Sequence, residues 1–403
     1  MSAIENILVV NSGSSSLKFT VYDMAGEKRL ANGLVERIGS DNANMVYRRG
    51  DEPKSEHGVQ ARDHAEALQL VCKALTDPAT GVLKSLDEVD AIGHRVLHGA
   101  DLFKDATPVT PETLAGMKSL IPFGPLHMPP NIGGIEACQK IFPGVPNVAV
   151  FDTAFHQTMP PCAARYAIPD EFRTKYGIRK YGFHGTSHHF VTLAAAEFLG
   201  KPADQVNLVT CHLGNGSSLA AIKNGGVVDT SMGLTPLAGM VMGTRCGDID
   251  PAILGFVAAK EGKDLAAMDK VINKESGVYG LSGVSSDFRD VENAANEGNE
   301  QAATALKVYA HRVKSYIGAY MAEMNGCDAI VFTAGLGENG INMRKAICEG
   351  MENLGIELCD ERNNVRGKDT VISKDSSKVK ILLIPTNEEL MIAKDTYEIV
   401  TGK

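Results

Sequence analysis

Three arginines lie among glycines and small polar residues that suit the binding of an anion. Arg95 lies in the sequence GHRVLHG, Arg245 in MGTRCGD and Arg289 in SSDFRD. A guanidinium presents a planar fork of donors that matches a carboxylate or a phosphate, and small neighbours let the anion approach. Because the chain as a whole carries a net charge of −9, these three arginines predict a specific anion site rather than a general basic surface.

Histidines are the second group that could do chemistry. His127 lies in LHMPP, and His184 and His188 stand four residues apart in FHGTSHH. On one helix face such a pair is typical of a zinc site, but Gly185 argues against a helix that begins before Ser187. The open alternatives are a zinc pair, a catalytic His184 beside a helix-capping Ser187, and ordinary structural histidines.

Two carboxylates follow apolar runs. Asp152 comes directly after residues 148–151, and Glu388 comes soon after residues 381–384. Ligand sites of α/β proteins lie at the carboxyl ends of strands, although either residue could simply be an acid at the start of a helix. A magnesium-phosphate site needs only one or two carboxylates, so this supply is sufficient.

A glycine- and serine-rich pattern occurs twice, about half a chain apart. Residues 9–19 (VVNSGSSSLKF) and 212–221 (HLGNGSSLAA) each read as a strand, a tight turn and a second strand. Turns of this kind expose backbone N–H groups that can hold a polyphosphate, and two matching hairpins favour that interpretation over two unrelated tight turns. They also predict a duplicated domain.

The two common nucleotide-binding motifs are absent or weak in this sequence. The sequence contains no GxxxxGK(S/T) motif, which excludes a P-loop NTPase. Residues 335–340 (GLGENG) satisfy the dinucleotide pattern GxGxxG after an apolar run, but they lie late in the chain rather than in an opening βαβ unit. A dehydrogenase therefore rests on this weak pattern alone, whereas a glycine turn at a helix start could still receive a nucleotide.

The elements that must position these residues alternate along the chain. Strands are predicted at residues 7–10, 89–92, 148–151, 206–210, 329–333 and 379–384, and helices at 63–74, 187–199, 300–324 and 342–354. Residues 51–58 and 373–378 are polar and are predicted to be loops. Strands interleaved with helices indicate an α/β fold.

Length and composition limit the number of domains, the partners and the location of the protein. A chain of 403 residues is long enough for two domains, and a hydrophobic content of 44% supports ordinary globular cores. The acidic balance argues against nucleic acid or an anionic membrane as the main partner. No signal peptide and no apolar run of about 20 residues is recognised, and eight scattered cysteines suggest reduced thiols, so we expect a soluble cytoplasmic protein.

Taken together, these segments resemble the acetate kinase family of the sugar kinase/Hsc70/actin superfamily. The similarity runs nearly end to end through the motifs NSGSSSLK, GHR, FDTAFHQTMP, YGFHGTSH, HLGNG, MGTR, GLGEN and PTNEE. The resemblance implies an α/β fold with two duplicated actin-like, ribonuclease H-like ATPase domains flanking a cleft. It implies residues 1–152 plus 387–403 for the amino-terminal domain, to which the carboxy-terminal helix returns, and residues 153–386 for the nucleotide-binding domain.

The resemblance also implies roles for residues at matching positions. Catalysis is assigned to Asp152, Arg95, Arg245 and His184. The acid is assigned to Arg95, Leu97, Leu126, His127, Phe183 and Pro236, which include the apolar wall around its methyl group. ATP is assigned to Lys18, His212, Gly214, Asn215, Gly216, Asp287, Phe288, Arg289, Gly335, Leu336, Gly337 and Asn339. Mg²⁺, or Mn²⁺ in its place, is assigned to Asn11 and Glu388, with Asn11 also near the transferred phosphoryl group.

The implied activity is reversible, Mg²⁺-dependent phosphoryl transfer between ATP and acetate by a homodimer. Two positions depart from the usual family pattern, Met128 after the pocket histidine and Ala334 before Gly335. Alternatives are a propionate or butyrate kinase of the same family, and an actin- or Hsc70-like ATPase without a small-acid substrate. The length of 403 residues leaves no extension for a chaperone substrate, which disfavours the last.

Overall fold

The chain folds into two compact units in a computed structural model that describes residues 4–402. Unit 1 comprises the residues up to Ala154 together with the segment from Asn387 onward, and unit 2 comprises Phe155–Thr386. No helix within the described residues is both long and apolar enough to cross a membrane.

Most strands are short and buried. In chain order they are β1 (Asn6–Ser12), β2 (Ser16–Asp23), β3 (Lys28–Glu36), β4 (Asn44–Arg49), β5 (Ser55–Gly58), β6 (Ala91–Val96), β7 (Thr107–Pro108), β8 (Asn147–Phe151), β9 (Leu208–Leu213), β10 (Ser217–Lys223), β11 (Gly226–Thr230), β12 (Ala329–Thr333), β13 (Thr370–Val371) and β14 (Lys380–Leu383).

The helices range from single turns to one of 25 residues. They are α1 (His64–Leu75), α2 (Pro111–Ser119), α3 (Met128–Ile141), α4 (Pro161–Ala164), α5 (Asp170–Tyr176), α6 (Gly185–Leu199), α7 (Ala252–Glu261), α8 (Leu265–Lys274), α9 (Gly277–Ser282), α10 (Phe288–Asn296), α11 (Glu300–Met324), α12 (Ala334–Asn339), α13 (Ile341–Cys348), α14 (Asp360–Asn363) and α15 (Glu388–Thr401).

Unit 1 is built on an eight-stranded sheet in the order β5-β4-β3-β2-β1-β6-β8-β7. Alternate residues of β1 enter different cores, because successive side chains of a strand point to opposite faces. Leu8 and Val10 pack with α1 and α3, whereas Ile7 and Val9 pack with α15. The carboxy-terminal helix therefore covers one face of the first sheet.

Close packing of α15 depends on a glycine in β6. A Cβ atom at Gly93 would lie 2.3 Å from Thr396 Oγ1 and 2.8 Å from Ile392 Cγ2. Real side chains do not approach so closely, so a larger residue would push α15 off the sheet. This contact holds the middle of α15 against β6.

Unit 2 repeats the same arrangement. Its six-stranded sheet has the order β11-β10-β9-β12-β14-β13. Val209 and Cys211 of β9 face a core formed with α11 and α13, and Leu208 faces a core formed with α6. Helix α6 thus lies on the face of the sheet to which the side chain of Thr210 also points.

The two sheets share one topology, which confirms the predicted duplication. The series β3-β2-β1-β6-β8 and β11-β10-β9-β12-β14 both contain two antiparallel pairs followed by two parallel pairs. The two glycine- and serine-rich turns join β1 to β2 and β9 to β10, so they occupy equivalent places. The α/β prediction is likewise confirmed.

The predicted elements are present, with three differences. Residues 55–58, predicted as loop, form the edge strand β5, whose side chains are exposed and therefore polar. Helix α6 begins at Gly185 rather than after it, because His184 adopts a left-handed backbone conformation (φ 59°) that starts the helix. The predicted helix 342–354 ends at Cys348 and is followed by a short 3₁₀ turn, Glu352–Leu354.

Candidate active site

The charged core of unit 1 is an ion pair between neighbouring strands. Arg95 lies on β6, and Asp152 directly follows β8. Arg95 donates from Nε to Asp152 Oδ1 at 2.9 Å and from Nη2 to Asp152 Oδ2 at 2.7 Å. Asp152 is 1% exposed, and its carboxylate holds the pKa of Arg95 above the usual value despite burial. Such a two-pronged pair fixes the plane of the guanidinium.

Acidic residues at the start of α15 adjoin this pair. Burial raises the pKa of Glu388, and Asp152 and Glu389 raise it further, while Arg95 lowers it. Lys18 forms an ion pair with Glu389. Burial is the largest cause of this shift, and Lys18 lowers the pKa together with Arg95. A further cation at this place would stabilise the ionised form of Glu388.

An asparagine that the sequence analysis did not single out links β1 to the segment after β6. Asn131 of α3 donates from Nδ2 to Ser12 O at 2.7 Å and accepts from the backbone N–H of Leu97 at 3.0 Å. It thereby fixes the strand end that carries Asn11, which is partly buried. Only the fold reveals this link, because the bonded residues are far apart in sequence.

The proposed acid-binding residues of unit 1 lie near the start of α3. Leu97 is partly buried and packs near Gly124, whereas Leu126 is 66% exposed. His127 is exposed and occupies the position that precedes the first helical residue, Met128. These residues lie on loop and helix-start positions, where binding groups are commonly found.

In unit 2 the turn after β9 is held against a glycine-rich loop. The backbone N–H of Gly243 donates to Asn215 O at 2.9 Å, and a Cβ atom at Gly243 would lie only 1.6 Å from Asn215 Oδ1. Ser217 Oγ closes the same turn by donating to Gly214 O at 2.9 Å. The HLGNG and MGTR motifs are therefore in direct contact.

Arg245 lies on that loop beside His184. Its Nη1 donates to Pro236 O at 2.6 Å. A Cβ atom at Gly216 would lie 3.1 Å from Arg245 Nη2 and 3.5 Å from His184 Nε2, so both nitrogens flank this glycine. Burial lowers the pKa of Arg245, and no carboxylate within residues 4–402 contributes to the shift. A partly buried guanidinium of this kind is a site for an external anion.

The histidines of unit 2 form a cluster with serine and threonine hydroxyls. The rings of His184 and His212 stack with centroids 4.1 Å apart. Ser218 Oγ lies 2.9 Å from His184 Nδ1 and 2.8 Å from His188 Nε2. Ser187 Oγ lies 2.7 Å from His212 Nδ1.

This cluster decides between the alternatives left open for the histidines. Both ring nitrogens of His188 contact hydroxyls, because Thr210 Oγ1 lies 2.7 Å from Nδ1, and the described residues contain no group of metal-ligating side chains. The zinc pair is therefore wrong. Ser187 does not cap α6 either, since its hydroxyl contacts His212 and the capping position belongs to His184.

The remaining nucleotide candidates lie around α10 and α12. Asp287 caps α10 by accepting from Arg289 N at 2.9 Å, and the Arg289 side chain folds back onto the same carboxylate. Asn339 Nδ2 donates to Gly335 O at 2.9 Å within α12. The glycines of GLGENG thus lie in and just after a short helix rather than in a turn between strand and helix, which disfavours the dinucleotide interpretation.

A cavity of about 310 Å³ opens between α10, α11, α12 and α13. Its apolar wall includes Phe288, Leu336 and Met343. Polar side chains also line it, namely Glu292, Lys307, His311, Lys314, Asn342 and Glu349. An apolar pocket with a few polar groups is suited to a planar organic ring.

The structure therefore groups the predicted residues in two sets. Unit 1 holds Asn11, Lys18, Arg95, Leu97, Leu126, His127, Asp152 and Glu388, and unit 2 holds Phe183, His184, His212, Gly214, Asn215, Gly216, Pro236, Arg245, Asp287, Phe288, Arg289, Gly335, Leu336, Gly337 and Asn339. Phe183 is buried, with its carbonyl oxygen 2.9 Å from His156 Nε2. Ser218 was missed, although it lies within the repeated Ser-Ser-Leu pattern.

Comparison with known proteins identifies the family of this chain. The sequence model of the Acetokinase family matches residues 6–394. The acetate kinase of Clostridioides difficile (strain 630) is 55% identical over 395 residues, which cover 98% of this chain and 99% of that protein.

Two solved structures extend the comparison to the fold. Porphyromonas gingivalis acetate kinase superimposes with a TM-score of 0.95 and 44% identity, over 98% of this chain and 100% of that one. A propionate kinase from Francisella tularensis subsp. tularensis SCHU S4 gives a TM-score of 0.91 and 41% identity, over 97% and 99%. The chain, with its duplicated actin-like α/β domains, belongs to the acetokinase family.

Proposed function

We propose that this protein is an acetate kinase that transfers the γ-phosphoryl group of ATP to acetate, reversibly, giving acetyl phosphate and ADP. The observation that carries the proposal is Arg245, a partly buried guanidinium without a carboxylate partner in the described chain, beside His184 and the Gly216 turn. The identity of 55% to an acetate kinase over nearly the full length supports the choice of acid.

The residues of unit 2 bind the nucleotide and the transferred group in this proposal. The cavity beside Phe288 and Leu336 takes the adenine ring, and Asp287 and Arg289 contact the ribose. The turn at Asn215 and Gly216 exposes backbone N–H groups for phosphate oxygens. The further nucleotide candidates are His212, Gly214, Gly335, Gly337 and Asn339. His184 and Arg245 donate to the equatorial oxygens of the phosphoryl group as charge develops there.

The residues of unit 1 bind the acid and the metal ion. Arg95, fixed by Asp152, donates to the acetate carboxylate, and Leu97 with Leu126 and His127 surrounds its methyl group. Phe183 and Pro236 are the apolar residues of unit 2 that are assigned to the acid. We also propose that the two units are the functional domains, with residues 1–152 plus 387–403 and 153–386 as their approximate limits.

A magnesium ion suits the donors at the start of α15. The pKa of Glu388 is raised mainly by burial, with smaller contributions from the Asp152 and Glu389 carboxylates, and a divalent cation would stabilise its ionised form. Glu388 and Asn11 would hold the ion, and Lys18 would contact phosphate. The ion would neutralise phosphate charge, and Mn²⁺ could serve in its place.

The transfer itself needs no general base, because a carboxylate is already ionised at neutral pH. One acetate oxygen forms a bond to the γ-phosphorus while the bond to the β–γ bridging oxygen breaks, and ADP leaves with that electron pair. No proton changes place. The transition state is loose with charge spread over its oxygens, so the protein contributes position and positive charge rather than covalent chemistry.

The deciding experiment measures ADP and acetyl hydroxamate formation with ATP, acetate and Mg²⁺, with each component omitted in turn. All three should be required, and turnover after complete chelation would refute the metal assignment. Propionate and butyrate belong in the same assay, since the Francisella propionate kinase is also similar. A higher kcat/KM for propionate than for acetate would show that propionate is the preferred substrate.

We further propose a cytoplasmic homodimer. All eight cysteines are free thiols, which supports a reducing compartment. Helix α7 buries no residue within the chain, Phe256 on it is 67% exposed, and Leu265 at the start of α8 is 83% exposed. Exposed apolar clusters of this kind mark interfaces, so Phe256→Glu should convert a dimer to a monomer in light scattering. A parent that is monomeric at micromolar concentration would contradict the proposal.

A further inference from the structure

Four side chains of unit 2 form a continuous chain of hydroxyls and imidazoles that ends at His184. Thr210 Oγ1 on β9 lies 2.7 Å from His188 Nδ1. His188 Nε2 lies 2.8 Å from Ser218 Oγ on β10, and Ser218 Oγ lies 2.9 Å from His184 Nδ1. Thr210, His188 and Ser218 are all fully buried, so water does not substitute for these contacts.

The number of hydrogens makes this chain directional. A serine hydroxyl has one hydrogen, so Ser218 donates to one of its two histidine neighbours and accepts from the other. A neutral imidazole carries its hydrogen on one nitrogen only, so His188 also donates on one side and accepts on the other. The direction of the first hydrogen bond therefore sets which nitrogen of a neutral His184 carries the hydrogen.

His188 is held neutral by its surroundings. Burial lowers its pKa well below the ordinary value, and the neighbouring rings of His156 and His212 add to this effect. The ring centroids lie 5.6 Å from His156 and 6.2 Å from His212. His188 thus donates a hydrogen bond from one nitrogen and accepts one at the other, so the hydrogen bonds on its two sides have the same direction.

The geometry at Thr210 selects one direction. The other acceptor near its hydroxyl is Ala220 O, at 3.5 Å, which is at the limit of a hydrogen bond. The contact to His188 Nδ1 is 0.8 Å shorter than the contact to Ala220 O and therefore uses the single Thr210 hydrogen better, so we assign that hydrogen to the His188 side. His188 then donates from Nε2 to Ser218, and Ser218 donates to His184 Nδ1. The hydrogen of a neutral His184 is left on Nε2.

We propose that Thr210, His188 and Ser218 are positioning residues that keep the hydrogen of neutral His184 on Nε2, so that this ring donates a hydrogen bond to the transferred phosphoryl group without being charged. The chain acts only through His184. The inference rests on the proposed function, in which His184 contacts that group.

The charged and titratable neighbours of His184 agree with a neutral donor. Arg245 Nη2 flanks the same glycine as His184 Nε2. On the opposite side the ring stacks on His212, which contacts Ser187. A neutral ring that still donates avoids placing a second cation beside the guanidinium, since like charges repel at short range.

A matched pair of variants at Thr210 tests the direction. Thr210→Asn keeps a donor, whereas Thr210→Asp has the same shape but, when ionised, can only accept. With the carboxylate, every hydrogen bond reverses and a neutral His184 turns a lone pair toward the phosphate. Only a protonated His184 could then donate. At low pH the carboxylate also favours a protonated His188, which donates from both nitrogens and restores the original direction of the hydrogen bond to Ser218. Protonation of either histidine therefore preserves activity, so kcat of Thr210→Asp should be lost at high pH.

The readout is kcat relative to the parent from about pH 6 to about pH 9, across the range in which ordinary imidazoles lose their charge. The ratio for Thr210→Asp should fall as the pH rises through this range, and the ratio for Thr210→Asn should stay constant. Parallel profiles for two folded variants would overturn the proposal.

Spectra of the ¹⁵N-histidine-labelled parent test the chain without using activity and without a buried carboxylate. At about pH 8 both His184 and His188 should be neutral with hydrogen on Nε2, the His184 signals being identified by their loss in His184→Asn. Hydrogen on Nδ1 of either ring would overturn the proposal. If His184→Asn keeps kcat near that of the parent, the role of His184 in the proposed function fails, while the spectra still decide the chain.

Discussion

Replacing Arg245 by lysine separates the shape of the guanidinium from its charge. One arm of the arginine is occupied, because Nη1 donates to Pro236 O at 2.6 Å. The other arm, Nη2, lies beside Gly216 and His184 Nε2, where the phosphoryl group is proposed to bind. A lysine has a single nitrogen at the end of a flexible stem, so it can satisfy Pro236 or reach the anion but cannot hold both.

The size of the effect follows from these two contacts. Loss of one preorganised donor to developing charge typically reduces kcat by about 10² to 10³, equivalent to about 2.7 to 4 kcal/mol in the transition state. The cost to folding is smaller. Even if the contact to Pro236 O is lost completely, a hydrogen bond from a charged group contributes about 1.5 to 3 kcal/mol. Arg245→Lys should therefore remain folded with most of its activity lost.

The assay measures kcat, the KM for acetate and the melting temperature, with Arg362→Lys as the control. Arg362 lies in the same unit and donates to Ser373 O and to Asp375 on the surface, so the same substitution there should leave kcat unchanged. Near-parent kcat in a stable Arg245→Lys variant would place Arg245 outside the site. A collapsed melting temperature would show that its main role is structural.

Three further changes have defined outcomes. Ala334 adopts φ 63°, which favours glycine, so Ala334→Gly should raise the free energy of unfolding in urea by about 1 kcal/mol. A lower free energy of unfolding in this variant would show that the backbone at Ala334 is not strained. Burial, with Glu398 and Asp105, raises the pKa of Asp395 to about 7. The folded state therefore keeps this proton while the unfolded chain loses it near pH 4, so stability falls between about pH 4 and 7. Asp395→Asn should then add on the order of 1 to 2 kcal/mol at pH 8, allowing for partial exposure, and nothing at pH 4, whereas equal gains at both would refute the assignment. Leu97→Ala should raise kcat/KM for propionate relative to acetate, each methylene being worth about 1 to 3 kcal/mol, and an unchanged ratio would remove Leu97 from the pocket.

The position of Ala334 illustrates where sequence and structure meet. The sequence shows a departure from the usual family glycine before Gly335, but nothing in the letters says that it matters. The structure gives this residue a left-handed backbone at the junction of β12 and α12, where a Cβ atom is strained. A stability prediction becomes possible only with that angle.

Much of the fold was predictable because it depends on local patterns. Runs of β-branched residues at 148–151 and 329–333 form strands within a residue of the predicted limits, and the long periodic segment Glu300–Met324 is one helix. The repeated glycine- and serine-rich turn indicated the duplication, since equal turns between equal strands produce equal topology. Strand β5 was missed because an edge strand with exposed polar side chains has no apolar signal.

The sequence by itself determined which residue types were available for chemistry: arginines among glycines, histidines beside hydroxyls, and carboxylates after strands. Only the tertiary structure decided how they act. Arg95 and Asp152 become a pair because β6 and β8 are neighbours. His184 receives its hydrogen-bond partner from β10 rather than from its own helix. The physical reason is that hydrogen-bond direction and pKa depend on atoms within a few ångströms, and folding brings those atoms together from distant parts of the chain.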